Sequence, residues 1–266
     1  AYGDMTLRSA NRVGGDAHYW SGGDFRIEGL EGEVGDFDSP IDPIIRALGD
    51  VVIGEYTGTS LHILSGGAVT IDFADITAPD PGSLGVDFLQ EMVQLSDGTL
   101  VEVDGAAQPT LDIRAGVSPD VPGAPPLELL SGFDPATDAF SANDFAPDNP
   151  STADITIGDV IISAPDGLVL ITNQYNPNAL LSGGDILVTG EGPLGEGINA
   201  EGGAGQGGVV FLDARGDIEV INSFISTDGS GEVGDVVLLA NDSVRLDGSD
   251  GSLTGALSSE IGRAHV

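Results

Sequence analysis

Eight arginines, three histidines and 43 carboxylates are the groups in this 266-residue chain that could do chemistry. Lysine and cysteine are both absent. That removes Schiff-base catalysis, the lysine of a phosphate-binding loop, thiol nucleophiles, disulfides and zinc–thiolate sites. The arginines are scattered, at Arg8, Arg12, Arg26, Arg46, Arg114, Arg215, Arg245 and Arg263. A polysaccharide lyase would want such a base beside calcium held by clustered carboxylates, and no stretch offers that pattern. A glycosidase needs two carboxylates at a set separation, and with so many acids some pair meets it by chance. No catalytic residue is therefore assigned, and none is assigned to a cofactor.

The remaining candidates are few. His18 and His62 lie 44 residues apart, which fits no metal-ligand spacing. His62 sits between Leu61 and Ile63 and should point outward from its strand. Tyr19 and Trp20 are candidate glycan contacts, as a platform for a sugar ring, with ordinary packing as the competing reading. Asp228-Gly229-Ser230-Gly231-Glu232 and Asp247-Gly248-Ser249-Asp250-Gly251 resemble calcium turns but match neither the nonapeptide nor the EF-hand spacing. No dedicated metal site is expected. The formal charge of −35 implies weak, diffuse association with Ca²⁺ or Mg²⁺ instead. Three of the acidic turn segments precede strands at Asp185, Asp217 and Asp235, where an acid is expected as a turn residue.

The same charge excludes nucleic acid as a partner, because such a surface repels phosphate. No apolar run reaches the length of a membrane-spanning helix. A hydrophobic content of 40% argues against a wholly disordered acidic tail. Thirty of the acids are Asp and 13 are Glu, a bias toward turns over helices.

The elements that would hold any site repeat along the chain. Gly158-Asp159 leads Val160-Ile161-Ile162, and Gly184-Asp185 leads Ile186-Leu187-Val188. Gly207-Gly208 leads Val209-Val210-Phe211-Leu212, and Gly234-Asp235 leads Val236-Val237-Leu238-Leu239. Earlier copies start at Gly3, Gly23 and Gly49, and the intervals run from 20 to 27 residues. A second short run often follows about ten residues later. The runs are β-branched and bounded by Gly, Asp, Asn and Ser, so they read as strands. Two or three strands in such a period predict an all-β solenoid whose rounds stack about 4.8 Å apart. Val160, Ile162, Val209, Phe211, Val236 and Leu238 are expected to face its core. Val52, Ile161, Leu187, Val210 and Val237 then face outward, as an apolar stripe covered by an insertion or offered to another chain, with the insertion favoured. Asn173 and Asn222 follow second strands, and read either as a stacked ladder or as isolated turns.

Residues 118–153 hold seven of the 15 prolines and break the pattern. The chain thus divides into coils over 1–117, a Pro-rich insertion over 118–153, coils over 154–255, and a tail over 256–266. Leu127, Leu129, Leu130, Phe133, Phe140 and Phe145 suggest that part of the insertion packs on a face of the stack. Residues 42–49 carry a helix N-cap, a Pro and a closing Gly, so they form one or two helical turns or a corner. Residues 86–93 are similarly ambiguous. Ile261-Gly262-Arg263-Ala264-His265-Val266 back-translates to a string resembling a sequencing adapter, and residues 261–266 are expected to be translated adapter. The chain is then expected to be an internal fragment of a larger reading frame.

Two longer segments carry a family resemblance. Tyr56-Thr57-Gly58-Thr59-Ser60-Leu61-His62-Ile63-Leu64-Ser65-Gly66-Gly67-Ala68-Val69-Thr70-Ile71 is one. Val93-Gln94-Leu95-Ser96-Asp97-Gly98-Thr99-Leu100, followed by Gln108-Pro109-Thr110-Leu111-Asp112-Ile113-Arg114-Ala115-Gly116, is the other. With Asn173-Gln174-Tyr175-Asn176 and the Gly-Asp repeats, they resemble cyanobacterial large exoproteins of the filamentous-haemagglutinin type. The resemblance implies a right-handed parallel β-helix, export by two-partner secretion through an outer-membrane transporter, and adhesion outside the cell or on its surface. Glycans or a host or neighbouring cell surface are the partners it implies. Asn176-Pro177-Asn178 is superficially like the family's secretion-domain motif, but within a repeat array it reads as a turn. This places the chain in the passenger, beyond the secretion domain. Zero cysteine fits passage through a pore unfolded, and local stacking fits progressive folding on emergence. The expectation is a non-enzymatic stalk. The alternatives are a carbohydrate-active β-helix enzyme, favoured by acids and arginines gathered on one strand face, and a glycan-binding module.

Overall fold

The computed structural model describes residue 1 and residues 3–15, 18–41, 43–80, 89–118, 152–202, 206–229 and 233–247. Among them the regular structure is entirely β, with no α-helix. The chain visits three strand positions in turn and then repeats the circuit. The first round is β1 (Met5–Arg8), β2 (Val13–Gly14) and β3 (His18–Ser21). The second is β4 (Phe25–Glu28), β5 (Phe37–Ser39) and β6 (Ile44–Ala47). In the third, β7 (Val51–Thr59) runs through the first two positions and β8 (Leu61–Ser65) takes the third. The fourth has β9 (Val69–Ala78), a hairpin of β10 (Gln90–Gln94) and β11 (Leu100–Asp104), and β12 (Thr110–Arg114). The fifth is β13 (Ile155–Ile162) and β14 (Leu168–Thr172). The sixth is β15 (Ile186–Val188), β16 (Gly197–Asn199) and β17 (Val209–Ala214). The seventh is β18 (Ile218–Ile221), β19 (Phe224–Ser226) and β20 (Val236–Ala240), and β21 (Val244–Asp247) begins an eighth.

Equivalent strands of successive rounds pair in parallel. The first position gives the order β1-β4-β7-β9-β13-β15-β18-β21, and the second joins the same 12-stranded sheet through the bent strands β7, β9 and β13. The third gives a seven-stranded sheet, β3-β6-β8-β12-β14-β17-β20. Only β10 and β11 pair antiparallel among the named strands. Register keeps like residues in line. Phe25, Val51, Val69, Ile155, Ile186 and Ile218 form one such line. Ile45, Ile63, Ile113, Ile171 and Leu212 form another on the third sheet. Both lines lie in one continuous apolar core. Each such side chain contributes about 1.5–3 kcal/mol by leaving water. A line that begins with the rings of Phe37 and Tyr56, 5.6 Å apart, continues as Ala74, Val160, Ile198 and Ile225.

The recurrent Gly-Asp pair has a structural cause. Asp4, Asp24, Asp50, Asp154, Asp185 and Asp217 each precede the first strand of a round. The Asp4 carboxylate accepts the amide N–H of Asp24, Asp24 that of Asp50, Asp50 that of Ala68, and Asp185 that of Asp217, at 2.8–3.0 Å. Asp154 accepts from both Gly184 and Asp185. The carboxylate that reaches forward lies over the glycine of the next round. A Cβ on Gly23, Gly49 or Gly216 would stand 2.0–2.2 Å from the Oδ1 of Asp4, Asp24 or Asp185. Glycine is required there by close approach, and aspartate by the amide it caps.

Two sequence expectations are corrected and two open readings are decided. Residues 44–47 form strand β6 and no helical turn, because pairing with β3 and β8 outweighs the capping signal. Val210 and Leu212 face the core, while Phe211 faces the opposite side and Val209 is only half-buried, so the phase of that run is inverted. In the run 236–239 the expected phase holds for Val236, which is buried in the core, and Leu238 packs against it. Asn173 follows β14 and Asn222 follows β18, in different sheets, so they form no shared ladder. Residues 90–93 of the ambiguous stretch belong to strand β10, and residues 86–88 lie outside the described residues.

The apolar outer face of the third sheet is covered by the β10–β11 hairpin. Val93, Leu95, Val101 and Val103 form a second cluster with Leu168, Leu170 and Leu239, and with the half-buried Phe211 and Val237. The Pro-rich insertion expected to do this, with its Leu and Phe residues, falls at 119–151 outside the described residues. Val52, Ile161 and Leu187 are half-buried on the other sheet.

Candidate functional site

Strand β12 alternates Leu111 and Ile113 into the core with Asp112 and Arg114 outward. Parallel register places Asp112 beside His62 of β8. His62 does face away from the core, as its neighbours dictate, but it is not at the surface: His62, Asp112 and Arg114 are all fully buried. The Arg114 guanidinium donates twice to Asp112, at 2.9 and 2.7 Å. It also pairs with Glu91 of the hairpin and lies 4.5 Å from the centre of the Tyr175 ring. His62 Nδ1 is 3.3 Å from Asp112 Oδ2. Burial by itself would raise the Asp112 carboxyl. The charge of Arg114 and the bonds from His62 and Arg114 outweigh it and hold the group below the usual carboxylate range. Burial likewise opposes the Arg114 charge, and the adjacent Asp112 and Glu91 carboxylates raise its pKa overall.

An arginine, three side chains of acid or imidazole type and a tyrosine thus converge on one strand face. That is the pattern set out above as favouring an enzyme. Here the central groups are sealed from solvent, so a substrate has no route to them in this arrangement. Their chemistry is structural: a compensated buried charge that ties the hairpin to β12. A second tie runs from Ser96 at the hairpin turn to Asp213 of β17. The Ser96 N–H and hydroxyl donate to its two oxygens at 3.0 and 2.5 Å. Burial pushes the Asp213 carboxyl up, with the bonds from Ser96 and Thr172 partly offsetting it.

An accessible concavity lies elsewhere among the described residues, at the bend between the first two strand positions. A cavity of about 570 Å³ is lined by Asp36, Glu55, Asp72, Thr156 and Glu191 among others. Gly54 and Gly158 also line it, and at Gly158 the Asp72 carbonyl lies so close that a Cβ would stand 2.0 Å from it. Arg12 leans over one end, bonded to Asp38 at 2.7 Å and paired with Glu55. The far wall is the loop 189–197, and a single buried carboxylate shapes it. Asp159 accepts the amide N–H groups of Leu194, Gly195, Glu196 and Gly197, all at 2.8–2.9 Å. Together these groups make an acidic groove with a preformed wall, whose carboxylates and backbone groups can hydrogen-bond a polyol.

The two residues expected to contact a glycan lie on opposite faces of β3. Adjacent strand residues point to opposite faces. Tyr19 packs inward on Phe25 and Phe37, with ring centres 5.5 and 5.8 Å away. Trp20 points outward, half-buried, with Arg46 stacked 5.0 Å above its ring. Tyr19 is therefore half-buried against the core, and Trp20 is half-buried on the opposite face. Across 176–180, Asn176 has φ 44°, Pro177 makes an isolated antiparallel bridge with Val117, and the turn follows at 178–181, closed by the Leu181 N–H bonded to the Asn178 carbonyl. No group of three or more metal-ligating side chains occurs among the described residues, and most of the two calcium-like turns lies outside them. No helix among the described residues is long and apolar enough to cross a membrane.

Asp213 and Glu91 carried no signal in the sequence, since each is one of 43 acids, and Asp159 read as the leader of a strand although it lies within β13. Asp112 and Arg114 were visible as the polar half of an alternating strand, which normally means a solvated face. Compared with protein-family models, with curated proteins and with solved structures, the chain finds no match.

Proposed function

We propose that this chain is a right-handed parallel β-helix segment that acts as a stiff, non-enzymatic stalk in a large haemagglutinin-like exoprotein. It is exported by two-partner secretion and displays its loops outside the cell. The observation that supports this reading is the unbroken parallel register along the stack, eight strands deep at the first position. At about 4.8 Å per strand, that stack is roughly 34 Å long. Its backbone pairs run along the axis, so tension on the stalk loads hydrogen bonds and core contacts in every round. The strongly acidic surface keeps such a rod soluble and discourages lateral association. Among the described residues, elements leaving the stack include the hairpin, the loop 173–184 and the loop 189–197, and a stalk would present such elements to glycans or a cell surface.

A second reading, a carbohydrate-active or glycan-binding role, is favoured by the acidic groove at Asp36, Glu55, Asp72 and Glu191. The two separate in one set of assays. The purified chain is incubated with acidic and neutral polysaccharides, and reducing ends and unsaturated uronates are measured. Beads coated with it are tested for attachment to cell surfaces. Attachment without glycan cleavage is the expected result. Cleavage that is lost in Asp72→Asn or Glu191→Gln would overturn the stalk reading.

A further inference from the structure

Most contacts in this stack join a round to its immediate neighbours. In such an array stability is a sum of per-round and nearest-neighbour interactions, and the ends fray one round at a time. The β10–β11 hairpin departs from that scheme. It leaves the fourth round between β9 and β12 and lies across the third sheet. Its apolar face shares one cluster with Leu168 and Leu170 of round five, Phe211 of round six, and Val237 and Leu239 of round seven. These partners lie side by side in register, Leu170 beside Phe211 and Phe211 beside Val237. The polar ties have the same reach. Glu91 holds Arg114 in the hairpin's own round, while Ser96 holds Asp213 two rounds on, 117 residues away in sequence.

We propose that the hairpin is a clamp that makes rounds four to seven open as one cooperative unit. A round at the β20–β21 end cannot peel away without uncovering the cluster that the hairpin shares with rounds five and six. The hairpin cannot lift without breaking the Ser96–Asp213 bonds and exposing Val93, Leu95, Val101 and Val103 together. The clamp is a property of the fold and does not depend on the stalk reading.

Native-state hydrogen exchange on the full chain in rising urea tests it, read at the amides of β14, β17 and β20. In the unmodified protein these amides should exchange with one common opening free energy and one common urea dependence. Leu95→Asp puts a charge into the cluster and should split them into a gradient, β20 opening most readily and β14 least. Ser96→Ala removes one tie with little risk to folding and should produce the same order with a smaller spread. Ile186→Ala, a core truncation away from the hairpin, should lower all three strands together. A graded pattern already present in the unmodified protein would overturn the proposal. So would a common opening that survives both hairpin variants.

Discussion

Asp159 offers the sharpest test of how this fold holds its loops. Its carboxylate is fully buried and receives four backbone N–H groups from residues 194–197. Asp159→Ala leaves those four donors without an acceptor. A buried donor so orphaned costs about 1–3 kcal/mol. The loop is partly exposed, so its amides recover water as it opens, and the expected total is about 3–5 kcal/mol. Asp159→Asn should rescue little. One amide oxygen can still accept two of the bonds, but the NH₂ group then faces two N–H donors. In urea unfolding followed by circular dichroism, both variants should lower the midpoint by about 1–2 M. Hydrogen exchange should show protection lost at 194–197 and kept in the core strands. A midpoint within about 0.3 M of the parent, with those amides still protected, would refute the claim that one carboxylate builds the groove wall.

Four further outcomes are expected. Arg114→Met leaves Asp112 buried without its counter-charge and should cost about 3–5 kcal/mol; adding Asp112→Leu should restore part of the loss in a double-mutant cycle on thermal stability. Asp24 and Asp213 have folded pKa values raised above 3.8, chiefly by burial, so their contribution is full below that value and is lost as pH rises through the raised values. Asp112 and Asp154 are held below 3.8, despite burial, by Arg114 and by hydrogen bonds respectively, so theirs is present above it and lost as pH falls through the depressed values. Melting temperature should therefore climb from neutral pH toward the region just above 3.8 and fall below it, and Asp213→Asn should flatten the climb. Gly49→Ala sets a methyl 2.0 Å from Asp24 Oδ1 and should cost about 2 kcal/mol or more, part of it recovered when Asp24→Ala is added. Val210→Ser should cost about 2–4 kcal/mol because Val210 faces the core, while Val237→Ser, half-buried under the hairpin, should cost clearly less; equal costs would contradict the inward phase of Val210.

The β-branched runs and their Gly-Asp boundaries made the all-β class and the parallel stacking legible from the sequence alone. The reason is locality. The entry to several rounds needs a glycine under one carboxylate and an aspartate to cap one amide, as at Gly23, Gly49 and Gly216, so the requirement recurs in the sequence. The outer faces were not legible, because their partners come from distant positions. In Val209-Val210-Phe211-Leu212 every residue is apolar, so alternation carries no phase. The choice of Val210 and Leu212 for the interior is made by the hairpin, which gives Phe211 a second place to be dry. His62, Asp112 and Arg114 read as the solvated half of their strands until that same face is covered, and then burial forces them into one compensated cluster. Asp159 reads as one more Gly-Asp strand leader until a loop 35–38 residues later folds its amides around it. Periodic local demands are written in the sequence; what covers a surface, and so which charges must pair, is decided only when remote segments meet.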